Sequence, residues 1–220
     1  PSDLSTTQLQ RLSSGQVAAL TSTQVGALLT TQISALTSGQ IRALTSAQIS
    51  ALDNSDLAAL GSKVSNLSTS LLANLSTKFL DWLSSSQIQQ LTSSQIGALT
   101  TGQVRSIATD LIAHLESSQW SALTTSQITA LGTTSLDTLS SGDVKSLSVS
   151  QLSAFSTGQI AALGSAQIGA LSSTQLNSLS SAQIRAIETQ DLAGLSTTLI
   201  PDLAAQQLAR FTTLQIESLS

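Results

Sequence analysis

Leucine recurs every eight residues along this chain, at Leu4, Leu12, Leu20, Leu28, Leu36, Leu44, Leu52 and Leu60, and after one seven-residue interval from Leu67 to Leu219. The only substitutions on that beat are Ile107, Phe155, Ile187 and Phe211, all large and apolar, so the position belongs to a core. Counting each leucine as position 1, the consensus is L-[ST]-[ST]-x-Q-[IV]-x-A, in 27 complete or nearly complete copies. A period of eight fits neither one long helix nor a coiled coil. Eight residues at about 100° each rotate the apolar stripe by roughly 80° per copy, away from any fixed seam.

A succession of very short helices fits instead. With Thr45 as N-cap, Gln48 falls at N3, which makes the S/T-x-x-E/Q capping box. Leu44 then stands at N′ and Ile49 at N4, the two halves of a hydrophobic staple. Each helix runs for about six residues, roughly 9 Å, before the next leucine opens another. Helices in water need roughly 12 to 15 residues to persist alone, so the copies have to stabilise one another by stacking. The expected fold is an all-α solenoid or superhelix with one capped helix per eight-residue repeat. It covers residues 1–220 as a single repeat domain with a register break near 61–67. A β-solenoid is the alternative, because Thr, Ile and Val favour strands. Against it, positions 1 and 6 have opposite parity in a strand, and Ala, Gln and Leu are better helix formers.

Departures from the phrase mark where the array is irregular. Asp56, Asp143 and Asp191 replace the glutamine with another acceptor suited to a helix N-terminus. Asp53 and Glu116 take the cap position, as do Gly61, Gly132 and Gly164, which caps tolerate. Leu71, Phe79, Leu111 and Leu199 put apolar side chains at the glutamine position, so those helices are expected to lose the box and bury an extra side chain. Pro201 is expected to make its helix irregular. Basic residues at Lys63, Arg105, Lys145 and Arg185 lie almost 40 residues apart, and aromatics at Phe79 and Trp82, Trp120 and Phe155 echo that spacing. Both predict five repeats per superhelical turn.

Charged residues are 9% and aromatics 2% of the chain, and the net charge of −4 offers no basic face for phosphates. Nucleic-acid binding is disfavoured accordingly. There is no cysteine, hence no disulfide or thiolate chemistry, and no apolar run approaches the roughly 18 residues of a membrane span. The start at Pro1 and the lack of methionine suggest a processed chain or a piece of a longer one. The single histidine, His114, has Asp110 and Glu116 nearby, with Ser117 and Ser118 beyond. A metal or acid/base cluster can be drawn from these, but a surface histidine beside unrelated acids accounts for them as well. Asp53 and Asp56 look like a carboxylate pair and read as cap and N3 of one helix. The sequons at Asn66 and Asn74 follow automatically from any Asn at position 8. No phosphate-binding glycine motif occurs, and no catalytic, cofactor or metal site is expected.

The phrase LTSAQISAL resembles the opening helix of the repeats in the TAL-effector family, where a similar L-T-x-x-Q-V stretch begins each unit. That resemblance implies a capped helix only, because the second helix and the base-reading loop have no counterpart here. The array also resembles the short-repeat arrays of very large secreted or surface proteins of bacteria. A non-enzymatic structural or spacer module, secreted or at the cell surface and able to stack end to end with itself, is the leading expectation. A protein- or peptide-binding scaffold is the second, with Lys63, Phe79, Trp82, His114 and Trp120 as the candidate patch. Ice or carbohydrate binding by rows of Ser and Thr is the third.

Overall fold

The computed structural model describes residues 3–195 and 205–219. Expectations about Leu199 and Pro201 lie outside the described residues. Among the described residues the chain is all helical, with short α-helices of four to seven residues and two 3-10 helices, Gly61–Asn66 and Asp191–Gly194. The octapeptide phrase sets each helix. In the copy that opens at Leu44, Thr45 is extended (φ −91°, ψ 163°) and its Oγ1 accepts from Gln48 N at 3.3 Å. Gln48 Oε1 accepts from Thr45 N at 2.8 Å, which closes the box around the helix Ser46–Ile49. The helix ends with Leu52 N donating to Ile49 O at 3.1 Å, an i to i−3 bond that tightens the last turn.

Corners are made of extended residues instead of left-handed glycines. Leu12, for example, sits at φ −63°, ψ 135° between two helices. Gly61 alone has positive φ (53°) among the described residues. It does not serve as the N-cap expected for it. The helix Asn54–Leu60 carries the beat leucine as its last residue and runs directly into the 3-10 helix, with Gly61 at the junction. A side chain at Gly61 would meet no other atom, so the backbone conformation is what glycine serves there.

The chain divides into two compact units, Pro1–His114 and Leu115–Ser220. The register break lies inside the first. In both, a helix packs on the helix three repeats later: Thr6–Arg11 on Thr30–Ala35 and Thr30–Ala35 on Asn54–Leu60 in the first, Thr157–Ala161 on Ser181–Ala186 in the second. Positions 1 and 6 fill the interior, with Ile41, Ile88 and Ile160 wholly buried and Leu91 and Leu163 nearly so. Each such side chain contributes about 1.5–3 kcal/mol on burial.

Five repeats per turn is wrong. Contacts between turns fall at 28 and 31 residues, as from Gln159 to Leu131 and Ile128, so a turn takes about three and a half repeats. The aromatics that suggested a 40-residue beat form no common column. Phe79, Trp120 and Phe155 occupy repeat positions 5, 6 and 1, and each is buried where a Gln, an Ile or a Leu stands elsewhere.

Candidate functional site: the glutamine joint and the broken repeats

A helix of four to seven residues leaves almost all its backbone groups without intrahelical partners. The box glutamine meets this need on two helices at once. Inside the array it is buried, 2% exposed at Gln40 and 4% at Gln159. Gln159 Oε1 accepts from Ser156 N at 2.9 Å, and its Nε2 donates to Ile128 O at 2.9 Å and Leu131 O at 3.0 Å. Those carbonyls belong to the C-terminal end of a helix one turn back. The same double reach recurs from Gln40 to Leu9 and Leu12, from Gln103 to Leu72 and Leu75, and from Gln175 to Val144 and Leu147. Gln87, with the seven-residue repeat between it and its target, reaches back 30 residues to Leu57 O at 2.6 Å.

This joint explains a choice that the capping box leaves open. A box accepts Gln or Glu alike, because only an acceptor is needed at N3. A glutamate could not donate to two carbonyls. Position 5 carries eighteen glutamines and no glutamate. That bias was the signal in the sequence, and reading the glutamine as a capping residue alone missed its second role.

Broken repeats show what happens when the amide is lost. In the seven-residue copy Lys63 stands where the glutamine stands elsewhere, directly before the buried Val64, and supplies the donor: its Nζ bonds Leu36 O at 2.9 Å and also Ser34 O. An ammonium thus stands in for the missing amide, and Lys63 belongs to the framework. Lys63→Met is expected to cost about 1–2 kcal/mol, read from the urea midpoint, because two carbonyls lose a charged donor. At Gln207 the second bond is long, 3.5 Å to Leu179 O, and Arg210 Nη1 reaches the same oxygen at 2.6 Å. Leu71, Phe79 and Leu111 are buried in place of glutamine, and no box forms on their helices.

The acidic replacements differ among themselves. Asp143 closes its box on Ser140 N at 2.9 Å and accepts from Ser117 Oγ at 2.8 Å. Ser117 is therefore committed to this carboxylate. Asp191 makes no capped α-helix, contrary to expectation. The cap position there is Glu188, which accepts from Gln190 Nε2 at 2.8 Å, and Asp191 opens a 3-10 helix instead. Asp56 is buried, and its carboxyl closes the box with Asp53 at 3.4 Å while Asp53 Oδ1 accepts from Asp56 N at 2.9 Å. Burial pushes the Asp56 carboxyl above its ordinary value, opposed by the Asp53 backbone N–H and helped by the Asp53 charge.

A raised folded value makes the protonated form the stabilising one. Its contribution is complete below the ordinary 3.8 and is lost as pH rises through the raised value. Asp56→Gln, which supplies an acceptor and donors without charge, is expected to raise stability at pH 7 by about 1–2 kcal/mol. The gain should shrink as Asp56 in the parent protein takes up its proton on acidification. Thermal melts of both proteins from pH 3 to 7 check this.

The five residues of the expected patch do not form one surface. Phe79 and Trp120 are core residues, 4% and 1% exposed, because one fills a glutamine position and the other an isoleucine position. Lys63 is half-buried in its joint, while Trp82 and His114 are exposed. Trp82 lies beside a cleft of about 140 Å³ lined by Ile49, Leu57, Leu75, Lys78 and Phe79. Asp110 and Glu116 are exposed, and among the described residues no three His, Asp or Glu side chains gather into a set able to hold a metal ion. Asn66 and Asn74 donate to local carbonyls, Lys63 O at 3.3 Å and Ser70 O at 2.8 Å. No helix among the described residues is long and apolar enough to cross a membrane.

A search of curated proteins finds no match. The model of the ALTTAQ repeat family matches residues 3–30, 25–62 and 136–173, so these stretches of the array are similar to ALTTAQ repeats and the chain is a repeat module.

Proposed function

We propose that this repeat module is a non-enzymatic structural element, a spacer within a larger secreted or surface protein or filament. One observation carries the reading: in the regular internal copies the recurring polar groups are spent on the backbone. The hydroxyl at position 2 accepts a helix N–H, and the glutamine at position 5 serves one N–H and two carbonyls. What is left outside is small and mostly uncharged. Committed cap hydroxyls also weaken the ice- or carbohydrate-binding reading. The test is made in the parent polypeptide, by exchanging the array for an unrelated helical repeat of equal length. A spacer predicts that surface display and parent activity survive. Loss of activity with the substitute folded and displayed would contradict it.

The binding-scaffold reading rests on Trp82, which is 40% exposed beside the Phe79 cleft. Trp82→Ala is expected to change stability by less than about 1 kcal/mol, as an exposed side chain does. Loss of a bound protein with an unchanged melt would favour the scaffold. A large drop in melting temperature would make Trp82 a packing residue.

A further inference from the structure

The repeat that opens at Leu75 departs from the consensus as no other copy does, with Lys78 at position 4, Phe79 at position 5 and Trp82 at position 8. All three line one cleft, the space of about 140 Å³ whose apolar walls are completed by Ile49, Leu57 and Leu75. The cleft opens where a glutamine joint is missing. Gln87, one repeat later, reaches back 30 residues to Leu57 O, and the same step from Phe79 lands on Ile49. A phenyl ring cannot donate to that carbonyl, and the helix Thr77–Asp81 forms no capping box. Phe79 is buried and Trp82 is exposed, so the cleft runs from a buried ring to an exposed one.

Size and charge together name the ligand. A cleft of this volume walled by Leu, Ile and aromatic side chains takes a single benzene ring. Lys78 is the only charged residue lining it, and its exposed ammonium has no hydrogen-bond or ion-pair partner among the described residues. Asp81, on the same helix, does not line the cleft. We infer that the cleft binds a small aryl carboxylate, with its one ring seated between Phe79 and Trp82 and its carboxylate on the Lys78 ammonium. Burial of the ring supplies the affinity. The ammonium selects the acid over an alcohol or amine of the same shape, because only the acid brings a complementary charge. The inference goes beyond both readings above and stands on the cleft alone.

The test is a titration of the 220-residue chain followed by the indole N–H signals of its two tryptophans in a nitrogen–proton spectrum, with Trp82→Phe identifying which signal is which. Phenylacetate, 2-phenylethanol, 2-phenylethylamine and acetate are the probes. Phenylacetate is expected to shift the Trp82 signal to saturation and to leave that of the buried Trp120 in place. The alcohol should bind more weakly, and the amine and acetate more weakly still. Lys78→Gln should weaken phenylacetate about two- to fivefold, the scale of one exposed ion pair, and leave the alcohol unchanged. Because Lys78 is exposed, that variant should melt as the parent does. No saturable shift at Trp82 overturns the inference. So does an amine that binds as well as the acid, or a Lys78→Gln variant with undiminished affinity for phenylacetate. A short peptide ending in free phenylalanine that binds more tightly than phenylacetate overturns the small acid as the occupant. Failure of the titration leaves both earlier readings standing, since the Trp82→Ala test reads a bound protein and the array exchange reads the activity of the parent.

Discussion

Gln159→Glu is expected to cost about 3–5 kcal/mol at pH 7, the scale of a buried charge left without a partner. The substituted carboxylate could still accept from Ser156 N, as the box requires. Its other oxygen would face Ile128 O and Leu131 O, two acceptors that now receive nothing. Repulsion and desolvation act together there. Gln159→Leu should cost less, about 1–3 kcal/mol, because an apolar side chain of similar volume brings no charge. Leu71 and Leu111 show that such a side chain can be buried at this position. Urea titrations order the two variants. On acidification the glutamate variant should recover, because a protonated carboxyl regains one donor. An equal loss in both variants at pH 7 would mean that the amide is not a donor in this joint.

Gly194→Ala is the second large effect. A Cβ at Gly194 would lie 1.9 Å from Ser165 O and 2.7 Å from Ser165 C, both backbone atoms, so the 3-10 helix and the helix Ser165–Ile168 would have to separate. Overpacking of this kind costs about 1–3 kcal/mol, more where backbone cannot yield. Gly169 is its counterpart, with a Cβ 2.2 Å from Gly194 O. Gly158→Ala supplies the contrast, since its nearest neighbour would be Ser156 Oγ at 4.0 Å and the site is helical. That change should stabilise by about 0.5–1 kcal/mol. Thermal melts of the two alanine variants should therefore move in opposite directions. The same approach of position 7 to position 8 three repeats later occurs at Gly26 and Ala51, where the Cβ to carbonyl distance is 2.8 Å. It accounts for the glycines at position 7 in these two copies.

The single helix was legible in the sequence because its determinants are local. Leu44, Thr45, Gln48 and Ile49 lie within six residues, and each of their contacts at the helix start is fixed by spacing alone. The way turns stack was not legible. A turn of about three and a half repeats brings position 5 over positions 6 and 1 of earlier copies, so no residue type lines up with itself at a whole number of repeats. Sparse charges and aromatics then supplied a false beat of 40 residues. The candidate patch failed for a related reason. Phe79 and Trp120 were conspicuous as rare residue types, yet each fills a repeat position that is buried in most internal copies. Lys63 was conspicuous as a charge, and its meaning depended on a carbonyl 27 residues away. Trp82 and His114 lie at position 8 beyond the helix-start motif, which leaves them exposed.

The claim on which the rest depends is that one side-chain amide joins a helix start to a helix end one turn back. Scalar couplings across hydrogen bonds between Gln Nε2 and backbone carbonyl carbons measure this directly in solution. Couplings from Gln159 to the carbonyls of Ile128 and Leu131, and from Gln175 to those of Val144 and Leu147, are the predicted result. Couplings to carbonyls at any other separation, or amide protons at Gln159 that exchange as fast as those of an exposed glutamine, would contradict it.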